Sequence, residues 1–196
     1  MDQRQTIKAL LEESADGTIT ADQVTKAGLH RSLLQELVRN GELHCFARGL
    51  YVRSGVAEDS LYLLQRKYSR GIYALETALY LHGYSDHAPE KYTMVFPKGY
   101  HSPSLKRENI IVKWARPETY SLGIVEISSP GGNLVQVYDL EKTLCDLLRG
   151  SGSALIAPAM KQYAEAKERD LRRLMSYAKQ LRVTKKVQQI YIDSML

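Results

Sequence analysis

The sequence predicts an α+β protein, with an N-terminal winged helix-turn-helix followed by a mixed α/β domain and C-terminal helices. Three observations support this prediction. Residues 18–53 have the pattern of two helices around a glycine turn and then a short β-hairpin. Residues 91–138 contain four strand-like runs, and residues 153–196 have helical periodicity. A chain of 196 residues has room for two domains, and we predict them at 1–54 and 55–196.

Composition limits the class of protein. Hydrophobic residues make up 44% and charged residues 25%, as in globular chains. No apolar run reaches the ~18 residues of a membrane span, and the amphipathic start lacks a signal-peptide core, so we expect a cytoplasmic protein without membrane contact. Cys45 and Cys145 lie far apart without zinc-type spacing. Neither a disulfide nor a metal or other cofactor is predicted.

The positive charge is concentrated at one end of the chain. The net charge is +5. Residues 1–56 hold seven basic and seven acidic residues, residues 57–150 hold eleven of each, and residues 151–196 hold nine basic and four acidic ones. The excess in the last segment indicates either an anionic partner such as nucleic acid or a solvated helix face.

Local signals define the helices of the first domain. Apolar residues recur with helical spacing between 7 and 11. Thr20 followed by Gln23 has the form of a capping box that begins a second, short helix. Gly28 supplies the turn, and a third helix is predicted from about Leu29 to Asn40.

The third helix of the chain is the second helix of the predicted helix-turn-helix. In this motif the second helix lies in the major groove, so the third helix is the predicted DNA-recognition helix. Its outward polar side chains form the candidate base-reading set: His30, Arg31, Ser32 and Gln35. Arginine can bind guanine and glutamine can bind adenine through paired hydrogen bonds. Arg39, further along the helix, is predicted to meet phosphate.

A β-hairpin is predicted around Ala47-Arg48-Gly49, with Gly49 suited to positive φ and Arg48 at the tip. An arginine at a wing tip typically contacts the DNA backbone or minor groove. Residues 26–53 hold five basic and two acidic residues, which favours DNA locally. The alternative is a winged helix that serves as a protein-interaction module.

The second domain is predicted to be a small mixed sheet of about four strands with helices packed on it. The strand-like runs lie within 91–96, 110–114, 124–127 and 134–138. A helix before the first strand has Leu75, Ala78 and Leu79 on one face, and His82 falls on that face as a core or cap residue.

Three segments resemble a known family in order and spacing: RGLYVRSG at the end of the hairpin, YSRGIYALETALYLHGYSD, and VYDLEKTLCDLL after the last strand. From about residue 5 to 150 the chain resembles the AbiEi family of bacterial antitoxins. The resemblance implies an antitoxin of a type IV toxin–antitoxin, abortive-infection system used in antiviral defence. It also implies a winged helix that represses its own operon at inverted repeats in operator DNA. The toxin would be nucleotidyltransferase-like and form no stable complex with the antitoxin.

The helix predicted from Asp139 raises the question of enzyme chemistry. Asp139, Thr143 and Asp146 share one flank of this helix. Glu141 and Lys142 are adjacent at the helix start, whereas restriction-type nucleases use a Glu-x-Lys spacing on a strand. An Asp N-cap with acidic groups favoured by the helix dipole is the simpler explanation. We therefore predict no catalytic residues, and a nuclease is the third hypothesis.

The C-terminal segment has a basic helical face whose residues have few acidic neighbours in sequence: Arg173, Lys179, Arg182, Lys185 and Lys186. This face is a candidate surface for antitoxicity or for binding nucleic acid, with RNA and operator-flanking DNA as possible partners. The alternative is a solvated face. For the whole chain the alternative to an antitoxin and autorepressor is a winged-helix regulator whose second domain holds a small molecule.

Overall fold

The structure is a computed structural model that describes residues 3–14, 16–150 and 154–195. Helices and strands are mixed along the chain, which confirms the α+β class. The chain divides into two compact units, residues 1–67 and 68–196.

The elements of the N-terminal unit are α1 (Gln3–Glu13), β1 (Thr18–Thr20), α2 (Ala21–Lys26), α3 (Ser32–Arg39), β2 (Leu43–Ala47), β3 (Leu50–Arg53) and α4 (Ser60–Lys67). The strands form an antiparallel sheet in the order β1-β3-β2. Helices α1 to α3 pack around a core that includes Ile7, Val24 and Leu34, all fully buried. The two helices and the hairpin thus occur in the predicted order, whereas β1 was not predicted.

The capping box at α2 is confirmed. The Thr20 hydroxyl accepts the backbone N–H of Gln23, and the Gln23 side chain accepts the N–H of Thr20 at 2.7 Å. The predicted start of the third helix is wrong, since α3 begins at Ser32 rather than Leu29. Gly28 has a φ of 75°, and the N–H of Leu29 bonds to the carbonyl of Val24. These bonds close the end of α2 and leave the next residues in a turn.

The N-terminal unit extends past residue 54, the predicted limit of the first domain. Its additional helix is α4, which the sequence placed in the second domain. Leu63 of α4 is buried in a cluster with Leu50 and Val52 of β3. The helix thus completes the apolar side of the hairpin sheet, a contact between distant residues that helical periodicity alone does not reveal.

The elements of the C-terminal unit are β4 (Ile72–Tyr73), α5 (Glu76–Leu81), β5 (Tyr92–Pro97), a 3-10 helix (Pro103–Arg107), β6 (Ile110–Ala115), α6 (Pro117–Tyr120), β7 (Ile124–Ser128), β8 (Leu134–Tyr138), α7 (Leu140–Arg149), α8 (Ile156–Glu165), α9 (Leu171–Gln180) and α10 (Thr184–Asp193). The four predicted strands are present. Strand β4 was missed, although it lies in the middle of the sheet, whose order is β6-β5-β4-β8-β7.

The sheet mixes parallel and antiparallel neighbours. Strands β5 and β6 are parallel, as are β4 and β8, whereas β4–β5 and β7–β8 are antiparallel. Helices α5 and α7 to α10 share one core, in which Leu79, Leu144 and Val187 are fully buried. His82, predicted as a core or cap residue, has its Nε2 2.8 Å from the carbonyl oxygen of Tyr138. That contact confirms a structural role.

Candidate nucleic-acid interface

A polar ridge runs along the exposed side of α3. Arg31 immediately precedes the helix, and its φ of −61° and ψ of −21° continue the helical geometry. Arg31, Gln35 and Arg39 are all exposed, and their spacing of four aligns them on one side of the helix. Leu34 and Leu37 are buried on the other side and hold the helix against α1 and α2. The ridge is thus presented by a well-anchored helix.

The guanidinium of Arg31 is already positioned by α2. Its Nε donates to Thr25 Oγ1 at 2.9 Å, and its Nη2 lies 2.9 Å from Asp22 Oδ1. The side chains of Arg31 and Asp22 are 61% and 81% exposed, so this ion pair contributes little stability. Arginine has five N–H donors, and these contacts use only two of them. The remaining donors can bind a base while Asp22 limits the rotation of the side chain.

His30 and Ser32 are both exposed, but only Ser32 lies on the helix as predicted. His30 is in the turn before α3, where its carbonyl accepts the N–H of Leu33 at 3.1 Å. Ser32 is the first helical residue. Both therefore lie at the end of α3 that would enter a groove first in a helix-turn-helix complex.

The hairpin tip is fastened to the start of α2. Arg48 and Gly49 connect β2 and β3, and Gly49 has the positive φ of 79° that the sequence predicted. The carbonyl of Gly49 accepts the N–H of Ala21 at 2.9 Å. Arg48 is exposed at the tip, so its position is fixed relative to the same helix that holds Arg31.

The acidic residue of α3 is locally neutralised. Glu36 forms an ion pair with Arg4 of α1, and both side chains are partly exposed. The pair reduces the repulsion between Glu36 and an approaching phosphate, and it connects α1 to α3. Arg31 is likewise paired with Asp22, so the positive potential along the ridge comes mainly from Arg39.

The five basic residues predicted as one C-terminal surface do not share one role. Arg173 lies 3.5 Å from Asp170 and 3.9 Å from Asp139, so the expectation that it has few acidic partners is wrong. Lys186 donates to the backbone carbonyl of Leu148 at 3.0 Å, near the end of α7. A lysine in this position offsets the free carbonyls of a helix C-terminus. Both residues therefore connect helices within the unit.

Lys179, Arg182 and Lys185 are exposed, as expected both of a binding face and of a solvated face. Lys179 lies near the end of α9 and Lys185 near the start of α10. Arg182 lies between these helices with a φ of 59°, a left-handed conformation that side chains other than glycine rarely adopt.

Asp139 has the structural role that the sequence favoured. Its Oδ1 accepts the N–H of Lys142 at 2.8 Å and caps α7, and its Oδ2 accepts the hydroxyl of Tyr177 at 3.1 Å. Burial, with the nearby charge of Glu141, raises the pKa of the Asp139 carboxyl above its usual range despite these hydrogen bonds and the proximity of Arg173.

The other two polar residues of the α7 flank are also engaged. Thr143 donates to the carbonyl of Tyr138 at 3.3 Å. Asp146 forms an ion pair with Lys142, whose side chain is only 2% exposed, and lies 3.4 Å from Arg149. Across the described residues, no three His, Cys, Asp or Glu side chains are grouped so as to hold a metal ion. These contacts account for the flank through packing and capping.

Some residues of these surfaces were not found from the sequence. Asp22 and Thr25 position Arg31, yet Asp22 has only the pattern of a common first-turn acid. Arg116 and Arg149 line cavities in the C-terminal unit although they are far apart in the chain. No local signal marks such residues, because only the fold brings them to their partners.

In the described parts of the chain, no helix has the length and apolar character needed to cross a membrane.

Comparison with known proteins relates both the fold and the sequence to others. The crystal structure of the RV2827C protein from Mycobacterium tuberculosis is similar, with a TM-score of 0.62 and 17% identity over 95% of this chain and 79% of that one. At this identity the likeness shows a shared fold. Curated proteins gave no match to the sequence. Residues 3–92, a little under half of the chain, match the family model described as the transcriptional regulator, AbiEi antitoxin N-terminal domain, so this part of the chain is similar to the AbiEi antitoxins.

Proposed function

We propose that this protein is a DNA-binding autorepressor and the antitoxin of a type IV toxin–antitoxin system, acting in the cytoplasm without enzymatic activity. The N-terminal unit is a winged helix-turn-helix in which α3 is the recognition helix and the β2–β3 hairpin is the wing. The observation that carries the proposal is the exposed ridge of Arg31, Gln35 and Arg39 on a helix adjoining an arginine-tipped hairpin. The AbiEi match over residues 3–92 supports it.

The dimensions of the ridge suit a major groove. A helix with its side chains is about 10–12 Å across, close to the ~12 Å width of that groove, and the eight-residue step from Arg31 to Arg39 extends about 12 Å along the helix axis. Arg31 and Gln35 read base edges, with His30 and Ser32 at the leading end of α3. Arg39 and Arg48 contact phosphates and set the register. Each paired base contact provides about 1–3 kcal/mol of discrimination.

The test is a mobility-shift titration of the full chain on the DNA upstream of its gene, where inverted repeats are the proposed operator. Arg31→Ala should weaken operator binding more than binding to unrelated DNA, whereas Arg48→Ala should weaken both equally. Lys8→Ala is the charge-matched control, since Lys8 is exposed on α1. Absence of operator preference in the wild type at low salt would refute the DNA-binding proposal.

The antitoxin role is tested by co-expression with a nucleotidyltransferase-like toxin encoded beside this gene. We expect the chain to restore growth, and Arg31→Ala to restore it equally when both genes are driven by a foreign promoter. A stable complex of the two proteins in size-exclusion chromatography would contradict the type IV assignment. Failure to restore growth would refute the antitoxin role while leaving DNA binding unaffected.

The second candidate is a regulator that responds to a small molecule. The observation that favours it is a pair of cavities in the C-terminal unit, of about 450 and 470 Å³. Volumes in this range accommodate metabolite-sized ligands. A ligand that changes operator affinity in the mobility-shift titration would favour this candidate, as would the absence of a toxin gene nearby.

A further inference from the structure

Two cavities adjoin each other along β6 of the C-terminal unit. The first has a volume of about 450 Å³ and the second about 470 Å³. Trp114, Ala115 and Arg149 contribute to the walls of both. The shared residues place the two cavities next to each other, and together we call them the β6 groove.

The first cavity is strongly cationic. Arg116 follows β6, Arg149 ends α7, and Arg182 lies between α9 and α10, so three separate elements bring an arginine to one space. None of the described residues that line it is acidic. Among the described residues, Arg116 and Arg182 have no carboxylate within ion-pair distance, and Arg149 has Asp146 at 3.4 Å. Three arginine forks around one cavity are suited to a phosphate group.

Arg182 occupies a position where glycine is the usual residue. The N–H of Arg182 bonds to the carbonyl of Lys179 at 3.2 Å, and that of Val183 to Ala178 at 2.8 Å. This pair of bonds is a Schellman motif, and its left-handed residue is commonly glycine. Three other helices of this chain end with the same two bonds around Gly28, Gly41 and Gly83. The left-handed residue is glycine at those three helix ends, and it is arginine at the end of α9, which borders the cationic cavity.

The second cavity adds an apolar surface beside the arginines. Leu75, Val95, Ile111 and Leu147 contribute to its lining, and Ile111 is 44% exposed. Its charged lining residues are the carboxylates Glu76 and Asp146 and the cations Lys113 and Arg149, so this cavity, unlike the first, has no excess of positive charge. A large β-branched side chain left open beside a cationic cavity is a surface on which a ring can pack.

We propose that the β6 groove binds a nucleotide, with its phosphate between Arg116, Arg149 and Arg182 and its base against the apolar part of the second cavity. Nucleoside phosphates combine the two required properties, an anion of phosphate geometry and an attached planar ring. The ligand can be a free nucleotide or the terminal nucleotide of an RNA strand. The site lies wholly within residues 68–196, and it does not depend on whether the chain binds operator DNA or opposes a toxin.

Trp114 provides the measurement. It is the single tryptophan of the chain, it lines both cavities, and it is 59% exposed, so its fluorescence reports ligand binding in the groove. The full-length protein is titrated with AMP, GMP, CMP and UMP, with the matching nucleosides, and with a short single-stranded oligoribonucleotide. Calorimetry provides an independent affinity. We expect saturable binding by at least one phosphate-bearing probe and at least roughly tenfold weaker binding by its nucleoside.

Arg182→Gly tests the site without disturbing the fold, because glycine suits the Schellman position. We expect it to weaken nucleotide binding by roughly tenfold or more, since a charged hydrogen-bond donor is lost. Lys185→Ala removes a neighbouring exposed charge that does not line the groove, and it should bind like the wild type. If the oligoribonucleotide binds and the free nucleotides do not, the ligand of the groove is the end of an RNA strand. Absence of saturable binding by all phosphate-bearing probes, equal binding of nucleosides, or unchanged affinity in Arg182→Gly would overturn the proposal.

Discussion

The left-handed arginine at the end of α9 predicts a substitution that stabilises the fold while it impairs the proposed site. Arg182 has a φ of 59°, and its Cβ makes this conformation unfavourable. The backbone bonds of the motif, from Arg182 to Lys179 and from Val183 to Ala178, involve no side chain. Arg182→Gly therefore keeps both bonds and removes the strain.

The magnitude follows from two opposing contributions. A left-handed conformation costs an L-residue about 1–2 kcal/mol. Glycine loses about 0.5–1 kcal/mol more conformational entropy on folding than a residue with a side chain. We thus expect Arg182→Gly to raise the free energy of unfolding by about 1 kcal/mol, which corresponds to a rise in Tm of about 2–4 °C for a chain of this size.

Differential scanning calorimetry is the assay, with attention to the transition of the C-terminal unit. Arg182→Ala is the matched control, because it removes the charge but keeps the Cβ, and it should leave Tm close to that of the wild type. Equal stabilisation in both variants would refute the argument from strain and assign the effect to charge. A lower Tm in Arg182→Gly would show that the arginine side chain itself supports the fold.

Three further substitutions test the local structure. Thr20→Ala removes the N-cap of α2 and should lower the free energy of unfolding by about 1 kcal/mol in urea denaturation. Asp146→Ala leaves the buried Lys142 without its partner and should cost about 3–5 kcal/mol, and added Lys142→Met should recover part of this loss. The pKa of the Asp139 carboxyl is higher in the folded state than in the unfolded state. The contribution of Asp139 to the free energy of unfolding is therefore greatest below the ordinary pKa of an aspartate, and it is lost as the pH rises through the folded-state pKa. Asp139→Asn retains a capping oxygen and should flatten this decline in urea midpoints measured across pH.

The features predicted correctly from the sequence depend on neighbours in the chain. Thr20 and Gln23 form their capping box within one turn, and Gly49 adopts its positive φ inside a two-residue connection. Asp139 caps α7 through a residue only three positions away. Each of these local structures requires particular residue types at a fixed spacing in the chain. They can therefore be predicted from the sequence alone.

The features that the sequence missed depend on distant partners. Strand β4 has only two residues, Ile72 and Tyr73, which are too few to show the alternating sequence pattern of a strand. It forms because β5 and β8 pair with it on either side. The contact of Arg173 with Asp139 was missed because Asp139 is 34 positions earlier in the chain, whereas its nearer partner, Asp170, is only three positions away. The early start assigned to α3 has a different cause, since the hydrogen bond from Leu29 to Val24 ends α2 and occupies the residues that would have extended α3.

The distribution of charge has a consequence for how this protein would bind DNA. The N-terminal segment is neutral overall, and one of the exposed arginines of the ridge is held by Asp22. Non-specific affinity depends on the number of phosphates that basic residues neutralise. With Arg39 and Arg48 as the principal phosphate contacts, the affinity of each bound copy of the chain should fall with salt about as the second power of its concentration. A much steeper dependence in the full chain would require phosphate contacts by further basic residues, and substitution of Lys179 or Lys185, both exposed, would then reduce the slope.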